Sequence, residues 1–406
     1  MRGLRRLSQI AAIARTALLI CAVFAASACT LSDALRNDSI YSVWTPPAPV
    51  SRTVVFATDR HADARPEFSP LSYGLHWDAE MHCGRVALTA KKYDPNFLPD
   101  GPPTSIDCDS DMGGFVHALI DAGPPTCKRA LLFVHGYNQT FRSAVLRAGQ
   151  LASDTQWPCA VAAFSWSSEG KFDRYAADIE RSGYSVPELV TLLRATASAG
   201  LTIDIVAHSM GTRVVLSALS GLQRSCIQTG RRFVGELILA APDISSEKFN
   251  DDFAHLLARS HACVRRVTVY ASAGDTVLIA SESIHGGVPR AGRNPQGDLV
   301  YVEQGPDHRI DVVDATLAPG DNVGHGYFVQ SYEMMADMMW VLAGEPIAAR
   351  AQKTALHEPT LFCFETETHP CNPTEGRFAL HVSRERRPDW LLRAMRSLVP
   401  ITSPFQ

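Results

Sequence analysis

The 406-residue sequence contains no internal repeat and no long low-complexity tract, which excludes solenoids and other arrays of a short unit. It has no excess of positive charge. With 38 Lys and Arg against 42 Asp and Glu, for a net of −4, the basic surface that nucleic acid requires is missing. No Cys-x-x-Cys pair occurs and no histidines cluster near a cysteine pair, so no metal site is expected and no cofactor is called for. The most apolar early stretch, Thr16 to Ala26, is too short to hold as a membrane span. What remains is 46% hydrophobic and 20% charged, the balance of a globular protein with a substantial core.

The N-terminus reads as an export signal. Arg2, Arg5, Arg6 and Arg15 supply a basic region ahead of the short apolar one, and Ala26-Ser27-Ala28 ends at Cys29. This triplet suits ordinary signal peptidase as A-x-A; before a cysteine it also resembles a bacterial lipobox, with Ala26 where Leu is usual. Lipidation of Cys29 is the favoured reading, and it predicts a cell-envelope or periplasmic protein held to a membrane by an N-terminal lipid anchor. Removing residues 1–28 takes away four arginines and no acids, leaving 34 basic against 42 acidic residues, a net of −8. Apart from Cys21 and Cys29, eight cysteines remain, an even number that suggests disulfides in an exported protein. Cys83–Cys108, Cys226–Cys263 and Cys363–Cys371 are local pairings that would close short loops, although spacing alone leaves connectivity open. The expected organisation is a signal at 1–28, a proline-bearing tether at 29–51, one core domain at 52–345 and a C-terminal extension at 346–406.

Along the core, strands are expected at Arg52–Ala57 and Gly84–Leu88, followed by loop from about Tyr93 to Gly113, rich in Pro, Asp and Ser. Ala130–Val134 is a continuous apolar run of the kind a strand covered on both faces shows. A helix over Ser143–Leu151, a strand over Ala160–Phe164 and two helical segments between Asp173 and Ala199 follow. Ser185 and Glu188, with Pro187 between them, have the spacing of a capping box. Further strands are expected at Ile203–Ala207, Phe233–Ala240, Arg266–Ala271 and Ile310–Val313, and a closing helix at Tyr327–Leu342. Strands alternating with helices predict βαβ units and a largely parallel sheet, with the strand C-termini along one edge. Beyond Gly344 only Asp389–Leu398 suggests a helix.

One stretch organises the rest. Leu201 to Leu219 passes from a β-branched strand through His208-Ser209-Met210-Gly211 into a segment with helical spacing, the strand–turn–helix setting of a nucleophile elbow. Ala207 and Gly211 flank Ser209 with small residues, Ala replacing the first glycine of G-x-S-x-G. An elbow serine needs a base, a group to orient the base, and N–H donors for the oxyanion. His325, between Gly324 and Gly326 after the last strand, is best placed as base. Asp275, after the strand ending at Ala271, is the favoured acid, and Asp243, after the preceding strand, is the rival. The Met210 N–H and one from the His135-Gly136-Tyr137 turn, that of Tyr137, are the expected oxyanion donors. His208 adjoins the nucleophile but is read as a packing residue.

Several segments resemble a bacterial α/β-hydrolase family of unknown function, DUF900: Val134 to Phe141, Phe164 to Ser168, Tyr175 to Asp178, Ala207 to Gly211, Ala240 to Asp243, Gly324 to Phe328 and Val54 to Arg60. The resemblance spans roughly residues 50–345. It implies the α/β-hydrolase fold, with a small N-terminal β extension and a C-terminal tail, and esterase- or lipase-like hydrolysis of a small-molecule or lipid ester. The His-Gly-Gly-Gly oxyanion signature of some esterases is absent. Acyl transfer or thioester cleavage by the same triad, and a non-catalytic binding scaffold on the same fold, are the competing readings.

Overall fold

The computed structural model describes residues 50–62, 73–90, 99–101, 103–254, 263–293, 310–316, 318, 323–346 and 350, with strand pieces at 361–362, 377–379 and 381–382. The export signal, Cys29, the tether before residue 50, Cys363, Cys371 and the helix expected over Asp389–Leu398 lie outside the described residues.

The fold is α/β. Its strands are β1 (Val50–Ala62), β2 (Tyr73–Ala90), β3 (Thr104–Ile106), β4 (Arg129–Val134), β5 (Ala160–Ser165), β6 (Thr202–His208), β7 (Val234–Ala240), β8 (Val264–Ala271), β9 (Ile310–Asp314), β10 (Leu361–Phe362), β11 (Arg377–Ala379) and β12 (His381–Val382). Ten of them form one sheet in the order β11-β9-β8-β7-β6-β4-β5-β1-β2-β3. It is parallel from β11 to β1, and β2 and β3 join antiparallel at one edge. The α-helices of four residues or more are α1 (Gly113–Ala122), α2 (Phe141–Asp154), α3 (Tyr175–Tyr184), α4 (Val186–Ser198), α5 (Gly211–Thr229), α6 (Thr276–Ile284), α7 (Tyr327–Gln330) and α8 (Tyr332–Leu342).

Alternate residues of β4 show why the central strands are apolar throughout. Ala130, Leu132 and Val134 pack into the layer with α1, α4 and α5, while Leu131 and Phe133 pack into the layer with α2 and α8. Each such Val, Leu or Phe, removed from water, contributes roughly 1.5–3 kcal/mol. The chain leaves β4 for β5 on one side and then crosses to β6 on the other. That reversal opens a crevice at the strand C-termini, where ligands bind in sheets of this kind.

Several expectations need correction. β1 runs on past Ala57, the expected end of the strand, through Asp59, Arg60 and His61. Thr58 still pairs with Ser165, and Arg60 is buried and bonded on all sides, so Thr58, Asp59 and Arg60 are interior residues, while His61 is exposed. β2 extends well beyond Gly84–Leu88. The loop to Gly113 contains β3, and α1 follows it directly. Ser185 makes no capping bond: it has helical backbone angles, because α3 runs almost straight into α4, and its hydroxyl donates to Asp59. The closing helix is two helices. Ser331 breaks it with extended backbone and caps α8 by accepting the Met334 N–H.

Among the described residues there are three disulfides, Cys83–Cys108, Cys127–Cys159 and Cys226–Cys263. The start of the C-terminal extension is built into the core, since buried Arg350 donates to Asp311 at 2.9 Å and to Asp337 at 3.1 Å. Among the described residues no helix is long and apolar enough to cross a membrane, and no group of three or more His, Cys, Asp or Glu is placed to hold a metal ion.

Candidate active site

The sheet register lines up the ends of five strands. Val134 pairs with Ala207, His208 with Ala240, Ala240 with Tyr270, and Ala271 with Asp314. The residues that follow these ends, His135, Ser209, Asp243 and Asp275, therefore emerge along one edge of the sheet, and His325 is brought there by the chain after β9.

Ser209 occupies the turn between β6 and α5 at φ +50°, the left-handed region, which a non-glycine residue adopts at a cost of about 1–2 kcal/mol. The turn is held by the Ser209 N–H to Ala240 O at 2.9 Å and by the Asp243 and Thr212 N–H groups to Ser209 O at 3.2 and 3.1 Å. Close packing explains the small residues around it. A Cβ on Gly136 would lie 2.8 Å from Ser209 Cβ, and one on Gly211 would lie 2.3 Å from His135 O. Ala207, where the motif usually has glycine, is fully buried without conflict. Met210, next in the chain, is buried, and among the described residues its N–H meets no acceptor.

His325 Nδ1 lies 2.7 Å from Asp275 Oδ2; the aspartate side chain is fully buried and the histidine side chain 14% exposed. Asp275 also caps α6, accepting the Leu278 N–H at 3.0 Å on Oδ1. The two loops are fastened together: Val323 O receives the Thr276 N–H at 2.9 Å and its hydroxyl at 2.7 Å. Gly324 has φ +66° and sits where a Cβ would come 2.8 Å from Gly274 O. His208 packs against this loop, its ring stacked on Phe328 at 4.3 Å and tilted 4.7 Å from that of His325. Burial first, and then the charge of His325, hold His208 well below the ordinary histidine pKa, so it stays neutral.

The rival acid is differently engaged. Asp243 accepts the Tyr175 hydroxyl at 2.5 Å and the Ser281 hydroxyl at 2.6 Å, and Arg290 Nε lies 3.6 Å from it. Burial, followed by the Asp243 charge, raises the Tyr175 phenol, which keeps it a donor. Ser281 and Arg290 carried no signal in the sequence. Tyr175 belongs to one of the quoted segments, yet only the structure shows that its ring meets that of Tyr137 edge-on at 5.2 Å.

The His135 turn has its own support. His135 stacks on Trp166 at 5.1 Å, and Trp166 Nε1 donates to His135 O at 2.7 Å. Burial and then the Arg60 charge push His135 down to about 3, so its ring is neutral and structural. Arg60 donates to Gln139 O at 2.8 Å and to Ser168 O at 2.9 Å. The segments 54–60, 134–141 and 164–168 thus form one buried cage around the turn that carries Tyr137.

Compared with known proteins, residues 123–342 match a family model described as an alpha/beta hydrolase of unknown function (DUF900). The match starts before β4 and ends with α8, leaving out β1 to β3. No curated protein matches the chain.

Proposed function

The chain belongs to the DUF900 family of α/β hydrolases, and from that premise we propose that it is a serine hydrolase of carboxylic esters. The reading is carried by one observation, the 2.7 Å pairing of His325 Nδ1 with buried Asp275 at the sheet edge where Ser209 forms its strained turn. A buried carboxylate on Nδ1 fixes the tautomer that carries its lone pair on Nε2, the nitrogen that takes up a proton.

In this mechanism Ser209 Oγ attacks the ester carbonyl carbon while His325 Nε2 takes the hydroxyl proton. The charge that develops on the carbonyl oxygen is met by the N–H groups of Met210 and Tyr137, each such donor contributing on the order of 10²–10³ in rate. His325 then returns the proton to the departing alkoxide, and water, deprotonated by the same imidazole, releases the acyl group. We assign the protein to the cell envelope, anchored through a lipid on Cys29. The disulfides support an oxidising compartment, and the Ala26-Ser27-Ala28-Cys29 sequence supports the anchor.

Labelling with a fluorophosphonate probe tests the chemistry. The full-length protein is expected to label and Ser209→Ala to remain dark; a folded parent that does not react would overturn the assignment. For the anchor, Cys29→Ala is expected to release the protein from the membrane fraction, and retention there would refute it.

A further inference from the structure

Against Asp243, whose N–H supports Ser209, lies a guanidinium with two unmet donors. Arg290 is 3% exposed, and its Nε and one terminal nitrogen are buried without a hydrogen-bond partner. Its nearest anion, Asp243, lies 3.6 Å away, beyond hydrogen-bond reach, with both carboxylate oxygens already occupied by Tyr175 and Ser281. Asp243 balances the charge of Arg290 but does not satisfy its donors, and a buried donor to a charged acceptor is costly to leave unmade.

The mount of Arg290 is rigid. Residues 289–292 are clamped by the Ser246 N–H to Pro289 O at 2.9 Å, the Ala291 N–H to Ile244 O at 2.9 Å, the Gly292 N–H to Pro242 O at 3.0 Å and the Ser272 N–H to Gly292 O at 2.8 Å. Gly292 lets this segment lie against the loop after β7, since a Cβ there would fall 2.5 Å from the Ala241 carbonyl carbon. The backbone that carries Arg290 is therefore fixed against the loop after β7, where Gly292 bonds Pro242, the residue before the Asp243 whose N–H supports Ser209.

A second cation stands close by. Arg213 lies in the first turn of α5, which holds no acidic residue; half-buried, it donates its N–H to Met210 O at 3.0 Å, directly after the Ser209 turn, and its charge acts on Arg290. A cation at a helix N-terminus opposes the helix dipole, so the end of α5 that follows Ser209 has positive potential from both the helix and Arg213, while Arg290, its charge balanced by Asp243, contributes unmet donors.

We propose that Arg290 and Arg213 form a subsite for an anionic group, a carboxylate or phosphate, carried by the ester substrate close to the scissile bond. The inference rests on the serine-hydrolase reading for its place in turnover, but binding of the anion does not depend on catalysis. A planar guanidinium with unmet donors donates to two oxygens of such a group.

The test pairs nitrophenyl hydrogen adipate with its neutral methyl ester, on full-length protein solubilised in detergent. kcat/KM is expected to favour the anionic ester at least tenfold, and Arg290→Gln is expected to bring the ratio down towards one. Arg213→Gln, on a half-buried residue, should reduce it severalfold and provides a second reading if Arg290→Gln does not fold. Calorimetric titration of the parent with adipate and with inorganic phosphate, each repeated on the variants, identifies which anion is preferred without requiring turnover. A parent that labels with fluorophosphonate yet shows no preference for the anionic ester overturns the inference and leaves the hydrolase reading standing. An unlabelled parent that still binds either anion through Arg290 sinks the hydrolase reading alone, and absence of binding to both anions sinks the subsite.

Discussion

Replacing each of the two candidate acids by asparagine should give opposite signatures, because their carboxylates do different work. Asp275 has one oxygen on the Leu278 N–H at 3.0 Å and the other on His325 Nδ1 at 2.7 Å. In Asp275→Asn the amide oxygen can keep the cap, so stability should fall by only about 1 kcal/mol. The amide NH₂ then faces Nδ1, which must become an acceptor, and the proton moves to the nitrogen that should receive one from Ser209. The loss in kcat for such a tautomer error is about 10⁴ in a serine protease triad, and that is the magnitude expected here. In Asp243→Asn the amide must place its NH₂ against the hydroxyl of Tyr175 or Ser281 and leaves buried Arg290 without a counter-charge. Breaking a buried pair by removing one partner costs about 3–5 kcal/mol, so the midpoint of thermal unfolding should drop by several degrees while turnover of the folded fraction falls far less than 10⁴. Nitrophenyl ester hydrolysis, corrected for active sites by fluorophosphonate labelling, together with melting followed by circular dichroism, measures both quantities. If folded Asp243→Asn loses more turnover than folded Asp275→Asn, the orienting role belongs to Asp243 and the reasoning from His325 geometry is wrong.

Other perturbations test the framework. Gly136→Ala places a Cβ 2.8 Å from Ser209 Cβ and 3.0 Å from His208 O; since backbone cannot yield cheaply, the turn must shift, and kcat should fall by at least about 10², with unchanged turnover counting against the turn as the oxyanion site. Cys226→Ser with Cys263→Ser opens a link between residues 37 apart, for which the loop-entropy relation gives roughly 4 kcal/mol; urea unfolding that differs by less than 1 kcal/mol would show the bond to be dispensable. Burial raises the Asp59 carboxyl to about 7. A folded pKa above the unfolded one means that native protein holds the extra proton, so this contribution is complete below about pH 4 and is lost as pH rises to 7, at up to about 1.4 kcal/mol per pH unit. Asp59→Asn, which keeps an oxygen for the Ser185 hydroxyl, should therefore gain on the parent between pH 5 and pH 8 in denaturant titrations, and a gap that does not change with pH would refute the protonated state.

What the sequence made legible follows from where apolar pattern and chemistry coincide. β4, β6 and β7 are apolar along both faces because both are covered, interrupted only by Asp204 and Glu236, which pair with Arg129 and Arg266; the His135 turn follows β4 directly, the elbow follows β6, and the loop of Asp275 follows β8. The pattern failed where polar residues are interior. Asp59 and Arg60 end the apolar run of β1 without ending the strand, because Thr58 goes on pairing with Ser165 and the Arg60 guanidinium finds Ser165, Gly74, Ser168 and Gln139 as acceptors. These partners are distant in sequence, so no local pattern announces them. α1 went unseen for a related reason: Met112, at its start, is left-handed and makes no side-chain cap. Cys127–Cys159 needs the sheet. The two cysteines precede β4 and β5, which pair from Ala130 with Ala160, and only that register brings them together. Arg290 is the strongest instance. It lies on a segment without regular structure, and its significance comes from two things no linear reading contains: the backbone clamp from the loops after β7 and β8, and the prior claims of Tyr175 and Ser281 on Asp243. A catalytic group can be found by its position after a strand, whereas a specificity group is defined by which of its bonds the protein itself leaves unmade.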